Sequence, residues 1–169
     1  MSLLRLLWFR PMRRTFAAEL VRQAKLNDKI WLVTGDLGMG MWDEFRDTFP
    51  ERYVNTGAAE QSLLDIACGL SLENKIPFCY SITTFLLYRP FETLRTYINH
   101  EKLNVKLVAS GRDKDYHIDG ISHWSEDAKK ILDTLPNIRQ SWPETKEQIP
   151  FTLEQMLKEE IPWFISLRR

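Results

Sequence analysis

The sequence predicts an α/β fold in which a parallel sheet is covered by helices on both faces. Helical patterns alternate with short apolar runs along the chain, as at residues 15–26 followed by 30–33 and at residues 62–72 followed by 76–82. The runs at 30–33, 76–82, 104–109 and 163–167 are apolar almost throughout, as expected of strands buried on both sides. Strands alternating with helices in this way pair in parallel through crossover connections.

The elements follow in order. Phe16, Leu20, Val21 and Ala24 recur at helical spacing until Asn27 and Asp28 break the pattern, and the strand at 30–33 comes next. A helix over 42–49 stops at Pro50, a short extended piece covers 53–55, and a longer helix carries Glu60 and the apolar residues of 62–72. The strand at 76–82 leads into a helical pattern over 85–101, with Pro90 expected near a helix start because its missing N–H is tolerated there. A strand over 104–109 precedes a polar stretch at 111–122. A helix over 125–135, a strand over 138–142, a helix over 152–159 and a strand over 163–167 complete the chain. No internal repeat, low-complexity tract or linker interrupts the series, so residues 12–169 are read as one domain.

Composition removes several function classes. The 169 residues carry 23 acidic and 23 basic side chains, and a formal charge of zero gives no basic surface of the kind nucleic acid requires. No apolar run approaches the roughly 20 residues that span a bilayer. Residues 1–11 are apolar around Leu3, Leu4, Leu6, Leu7, Trp8 and Phe9, but Arg5 interrupts them and no small-residue cleavage site follows. They are read as a peripheral arm or an extension ahead of Met12. Cys68 and Cys79 lie in apolar segments without C-x-x-C spacing, which reads as buried free thiols in a reducing, cytoplasmic compartment.

Glu60 is the residue with the strongest chemical signal. A glycine turn at Gly57 opens its helix, with Ala58, Ala59, Leu63, Leu64 and Ile66 around it. Burial disfavours the charged form of a carboxyl, so an acid in such surroundings is suited to sharing a proton. The same position also suits a cap: with Gly57 as N-cap, Glu60 stands at N3, where a carboxylate meets the helix's free amides. Four loops are expected at one edge of the sheet, beyond the strands' carboxyl ends, carrying Asp36, Glu60, Thr84 with Phe85, and residues 111–123. Ligands bind there in open α/β sheets.

Residues 55–95 resemble the pyrimidine-binding domain of the transketolase family of thiamine-diphosphate enzymes. The resemblance rests on blocks in order: Gly57, Ala58, Ala59, Glu60 and Gln61; Thr84 and Phe85; Arg89, Pro90, Phe91, Glu92, Thr93, Leu94 and Arg95; then Asp119, Gly120, Ile121, Ser122 and His123 with Glu126 and Asp127. Upstream, Thr34, Gly35, Asp36, Leu37 and Gly38 resemble the first strand and its loop, and residues 45–53 the segment leading into the motif. Similarity spans residues 12–169 and implies the thiamine-diphosphate-binding fold.

What the resemblance implies is specific. Glu60 is expected to hydrogen-bond the pyrimidine and favour its imino tautomer, whose nitrogen removes the thiazolium proton; Asp36, Phe85 and Tyr88 join it as cofactor contacts. Asp119 and His123 are expected to face the sugar hydroxyls and carbonyl, with His123 donating to a developing alkoxide. Competing readings of that stretch are a metal cluster with His117 and Asp127, and a helix-capping loop with Ser122 and Glu126. Arg168 or Arg169, with Arg169 preferred, stands where the family grips a sugar phosphate. Two departures bear on substrate: the spacing from Phe85 to the Arg89 block is short, as in the deoxyxylulose-phosphate synthase branch, and Ser110, Gly111 and Arg112 stand where transketolases commonly carry a histidine.

The family's magnesium ligands, a Gly-Asp-Gly motif with a downstream Asn, have no counterpart here. The resemblance therefore implies half an active site: thiamine diphosphate shared with a partner, the diphosphate and Mg2+ held by a separate transketolase-like subunit, and assembly as a homodimer or heterotetramer. The expected reaction moves a two-carbon ketol unit between sugars or sugar phosphates. Alternatives are a deoxyxylulose-phosphate-synthase-like or decarboxylating acyl transfer, and a catalytically idle scaffold that regulates a full-length relative.

Overall fold

The computed structural model describes residues 11–169, so the expected arm at residues 1–11 lies almost wholly outside the described residues. Chain order is α1 (Pro11–Ala24), β1 (Ile30–Thr34), α2 (Asp43–Thr48), β2 (Tyr53–Asn55), α3 (Glu60–Leu72), β3 (Ile76–Ile82), α4 (Thr83–Tyr88) and α5 (Phe91–Thr93). Then come β4 (Lys106–Ser110), α6 (Ala128–Leu132), β5 (Arg139–Ser141), α7 (Ile149–Lys158) and β6 (Trp163–Leu167). The six strands form one sheet in the order β2-β1-β3-β4-β6-β5, with every neighbouring pair parallel.

Alternation along the central strands divides the core into two layers. Ile30 and Leu32 of β1, Phe78 and Tyr80 of β3, Val108 of β4 and Ile165 of β6 pack with Phe16, Leu20, Leu153 and Met156 of α1 and α7. Val33, Cys79, Leu107, Ala109 and Phe164 point to the other face and meet Leu63, Leu64, Leu86, Ile98 and Leu132. Each such large apolar side chain contributes about 1.5–3 kcal/mol when fully withdrawn from water. Both cysteines are buried and free, as expected. Burial pushes the Cys68 thiol up to about 12 and the Cys79 thiol well above its ordinary value.

Prolines mark three of the boundary differences. Pro11 begins α1 four residues before the expected start, and Pro150 sits in the first turn of α7, which begins at Ile149 and not near Thr152. A capping box between Thr145 and Gln148 prepares that entry. The helical pattern expected over 85–101 is two helices. α4 begins at Thr83, directly off β3, and Pro90 is the N-cap of α5, which runs on into a π-helical stretch at Leu94–His100. At the opposite end of the sheet, the buried Lys106 Nζ donates to the Glu159 carbonyl at 2.8 Å and the Ile161 carbonyl at 2.7 Å. It thereby ties the end of α7 to the start of β4.

Candidate active site

The loops that follow β1, β2 and β4 meet the start of α4 at the carboxyl edge of the sheet. Asn55 joins the first two: its Oδ1 accepts from the Asp36 N–H at 2.9 Å and the Gly57 N–H at 3.0 Å, while its Nδ2 donates to Asp36 Oδ1 at 3.1 Å. Asp36 is exposed and has a φ of 58°, a conformation that this pairing supports. Gly57 turns the chain at φ 67°, and α3 starts three residues later with Ala59 as its N-cap. Glu60 is thus the first residue of α3 and not its N3, and its carboxylate caps nothing.

That carboxylate is withdrawn into the protein, with only 2% of the residue exposed. It is not surrounded by hydrocarbon alone. Ser81 Oγ donates to Oε1 at 3.0 Å, and Arg89 Nη1 donates to Oε2 at 2.7 Å. The Arg89 guanidinium also lies over the Phe85 ring, 3.7 Å from its centroid. Phe85 in turn meets the edge of His123, with ring centroids 4.8 Å apart at an interplanar angle of 67°. Acid, aromatic ring and imidazole therefore form one contiguous series.

The loop that carries His123 is clipped to α4. Thr83 Oγ1 donates to the carbonyls of Ser110 and Gly111, Thr84 Oγ1 to the Ser122 carbonyl at 2.6 Å, and the Tyr88 hydroxyl to Asp127. Gly111 has φ 85°, and a Cβ there would meet the Tyr116 ring at 2.2 Å, so only glycine lets Tyr116 close over the turn. Ser122 Oγ lies 2.9 Å from His123 Nδ1, which takes it away from the capping role expected of it with Glu126; Glu126 pairs with Lys114 instead.

Basic groups flank this series. Arg169 Nη1 is 4.0 Å from Asp119, and its guanidinium stacks on Tyr116 at 4.7 Å from the centroid. Tyr116 is 5.9 Å from His123, ring to ring. Arg168 is held among Asp113, Asp115 and Glu144 at 3.6–3.8 Å, so of the two arginines Arg169 is the one brought to the site. Arg13 arrives from α1, with Nη1 3.2 Å from Ser110 Oγ and 3.4 Å from the Tyr116 hydroxyl. It also lines a cleft of about 180 Å3 with Arg14, Gly38, Met39, Gly40 and Met41.

The set of groups suits a flat, nitrogen-bearing ring: a buried carboxylate, a hydroxyl beside it and an aromatic face joined to the carboxylate through Arg89. It does not suit a metal, because among the described residues no group of three or more His, Cys, Asp and Glu side chains converges on one point. His117 and Asp127 are not drawn together; Asp127 takes the Tyr88 hydroxyl.

The family described as "Transketolase, pyrimidine binding domain" matches residues 10–169. The chain belongs to this family. A "putative transketolase C-terminal section" of Methanocaldococcus jannaschii is 32% identical over 131 residues, covering 77% of this chain and 42% of that protein. The "6-deoxy-6-sulfo-D-fructose transketolase subunit SqwH" of Clostridium sp. (strain MSTE9) is 28% identical over 159 residues, 94% of this chain and 49% of its own length. A solved "split gene transketolase, inactive beta4 tetramer" superposes with a TM-score of 0.82 at 32% identity, covering 94% of this chain and 51% of that one. The chain spans about half the length of the relatives it matches. Among the described residues no helix is long and apolar enough to cross a membrane.

Three side chains of this transketolase pyrimidine domain went unassigned from sequence. Ser81 lies in a largely apolar strand whose pattern gives its hydroxyl no role, and Arg89 belongs to a matched block without a role attached to it. Arg13 sits in the first turn of α1, outside every block. Each reaches its partner across 21, 29 and 97 residues of chain respectively, and periodicity carries no information about such pairs.

Proposed function

We propose that this chain is the pyrimidine-binding subunit of a split transketolase-like enzyme and shares thiamine diphosphate with a second subunit that carries the diphosphate and Mg2+. The observation that supports this most strongly is the Glu60 carboxylate, buried yet accepting from Ser81 and from the Arg89 that lies over the Phe85 ring, at the edge where three loops meet the start of α4. Relatives described as a C-terminal section and as a subunit, each about twice the length of this chain, support the division between polypeptides. When bound, thiamine diphosphate supplies the electron sink for breaking and making a carbon–carbon bond beside a carbonyl.

The chain's own residues then have definable tasks. Glu60 accepts from a ring nitrogen and holds or returns the proton there, in a site where Ser81 keeps the carboxylate oriented. Phe85 gives the ring an apolar face, with Tyr88 one helical turn on and Asp36 at the neighbouring loop. His123 donates to the oxygen that gains charge as the sugar carbonyl is attacked, and Asp119 accepts from sugar hydroxyls. Arg169, joined by Arg13, attracts the anionic end of the sugar, a phosphate or a sulfonate. The reaction is two-carbon ketol transfer between such sugars, in the cytoplasm, by a homodimer or heterotetramer.

Calorimetric titration of thiamine diphosphate tests this reading. The lone chain should bind weakly or not at all, and tight Mg2+-dependent binding should appear with a subunit that carries Gly-Asp-Gly and Asn. Strong Mg2+-dependent binding by this chain alone would overturn the split site.

A further inference from the structure

The Arg89 guanidinium touches both groups that the proposed site offers to a pyrimidine. Nη1 is 2.7 Å from Glu60 Oε2, and the Cζ lies 3.7 Å from the centre of the Phe85 ring. A guanidinium and an aminopyrimidine share their recognition chemistry: each is flat, each presents N–H to a carboxylate, and each lies favourably on an aromatic face. We propose that Arg89 is an internal occupant of the pyrimidine seat, a latch that must leave Glu60 and Phe85 before the cofactor ring takes both.

Three features of the fold support a latch over a fixed strut. The Glu60 side chain is 1% exposed, but that of Arg89 is 46% exposed, so the arginine reaches water by turning outward while the acid cannot follow. Arg89 stands between α4 and the N-cap residue Pro90, at the one break in this helical run, so its side chain swings without disturbing a helix interior. Glu60 keeps its Ser81 hydrogen bond on Oε1 throughout, and only Oε2 changes partner. The charge-assisted bond lost to Arg89 is replaced in kind by the incoming ring N–H, so the exchange costs little. Among the described residues the Arg89 guanidinium has no anchor besides Glu60 and Phe85, which makes it a weak lock and suits a seat that must open on assembly.

The inference rests on the proposed pyrimidine site, and its test separates the two. The probe is the free hydroxymethyl-aminopyrimidine half of thiamine, which lacks diphosphate and needs no partner, titrated into the full chain and followed by saturation-transfer NMR. If Arg89 occupies the seat about nine-tenths of the time, its removal raises apparent affinity about tenfold. Arg89→Met should therefore bind the probe about tenfold tighter than wild type, and Arg89→Lys, whose ammonium pairs with Glu60 but does not stack as a plane, should show a smaller gain. Equal or weaker binding by both variants overturns the latch, and so does the absence of binding by wild type and variants alike. Should Arg89→Met fail to fold by circular dichroism, Arg89→Lys decides alone. Glu60→Gln and Phe85→Ala locate the site: if they lose the probe while the Arg89 variants gain nothing, only the latch falls. If neither loses it, the pyrimidine site is elsewhere and the latch falls with it.

Discussion

The Tyr88 hydroxyl donates to the Asp127 carboxylate and so joins the last residue of α4 to the N-cap of α6 across the loop that carries His123. Together with Thr83 and Thr84 it makes α4 the element on which the His123 loop is hung. Burial and the neighbouring carboxylate both push the Tyr88 phenol up, so it remains a donor at any physiological pH.

Tyr88→Phe removes the tether but keeps the ring. The change should cost about 1 kcal/mol of stability, the worth of an ordinary hydrogen bond, and lower Tm by roughly 2–4 °C for a chain of this size. Thermal unfolding checks it, and an unchanged Tm would show the loop to be held by the threonines alone. Because the ring survives, cofactor binding by the assembled enzyme should change little.

Lys106 makes stability depend on pH. Burial pulls its pKa down from 10.5 to about 7, while Glu159 and Glu160 oppose the shift. The unfolded chain therefore holds a proton that the folded chain has released between about pH 7 and 10.5, so stability rises with pH across that window and the penalty is fully present below it. The slope reaches at most about 1.4 kcal/mol per pH unit. The buried thiols act in the opposite sense above their ordinary value of 9.0, so the clean interval is pH 7 to 9. Denaturant unfolding of wild type should show this rise and Lys106→Met should flatten it, and parallel profiles for the two proteins would refute the assignment.

Thiol reactivity gives a simpler check. With Cys68 pushed up to about 12 and Cys79 buried behind it, neither is a thiolate near neutrality. Ellman's reagent should find no fast-reacting thiol in the native protein and two in denaturant. A stoichiometric fast phase in the native state would mean that the α3 face opens.

The sheet was legible in sequence because each buried strand carries its own signal: Phe78, Cys79 and Tyr80 are apolar on both sides of the backbone, and no other element requires that. The edge where the loops converge followed from parallel order. What periodicity did not contain was any pairing between distant residues. Glu60 was recognisable as a buried acid at a helix entrance, but its partners come from elsewhere: Ser81 from the next strand and Arg89 from the break that follows α4. The helix pattern over 85–101 concealed a break because Leu86, Leu87, Leu94 and Ile98 keep facing the core on both sides of Pro90. Pro90 alone marked the place where Arg89 is freed to reach back.

Glu60→Gln should leave the fold intact and remove most turnover in the assembled enzyme. With the amide oxygen toward Arg89 and the NH2 donating to Ser81 Oγ the buried side chain stays satisfied, but it neither takes nor returns a proton. Near wild-type activity in a steady-state assay would end the role assigned to Glu60.

Arg168 and Arg169 are adjacent in sequence and opposite in expected effect. Arg168 is enclosed by three carboxylates, so Arg168→Met should lower stability and leave the Michaelis constants nearly unchanged. Among the described residues the Arg169 guanidinium has only Asp119 at 4.0 Å and the Tyr116 ring, itself 5.9 Å from His123 ring to ring, which leaves it available to an anionic sugar terminus. Charge-assisted hydrogen bonds are worth about 1.5–3 kcal/mol, so Arg169→Met should raise KM for a phosphorylated or sulfonated sugar by about tenfold or more. The maximal rate should fall much less, because the contact is made equally in the ground and transition states. Steady-state kinetics of the assembled enzyme with an anionic sugar and its neutral analogue decide the matter: a loss confined to the anionic substrate assigns the grip to Arg169, and an equal loss for both would place Arg169 in the scaffold of the loop.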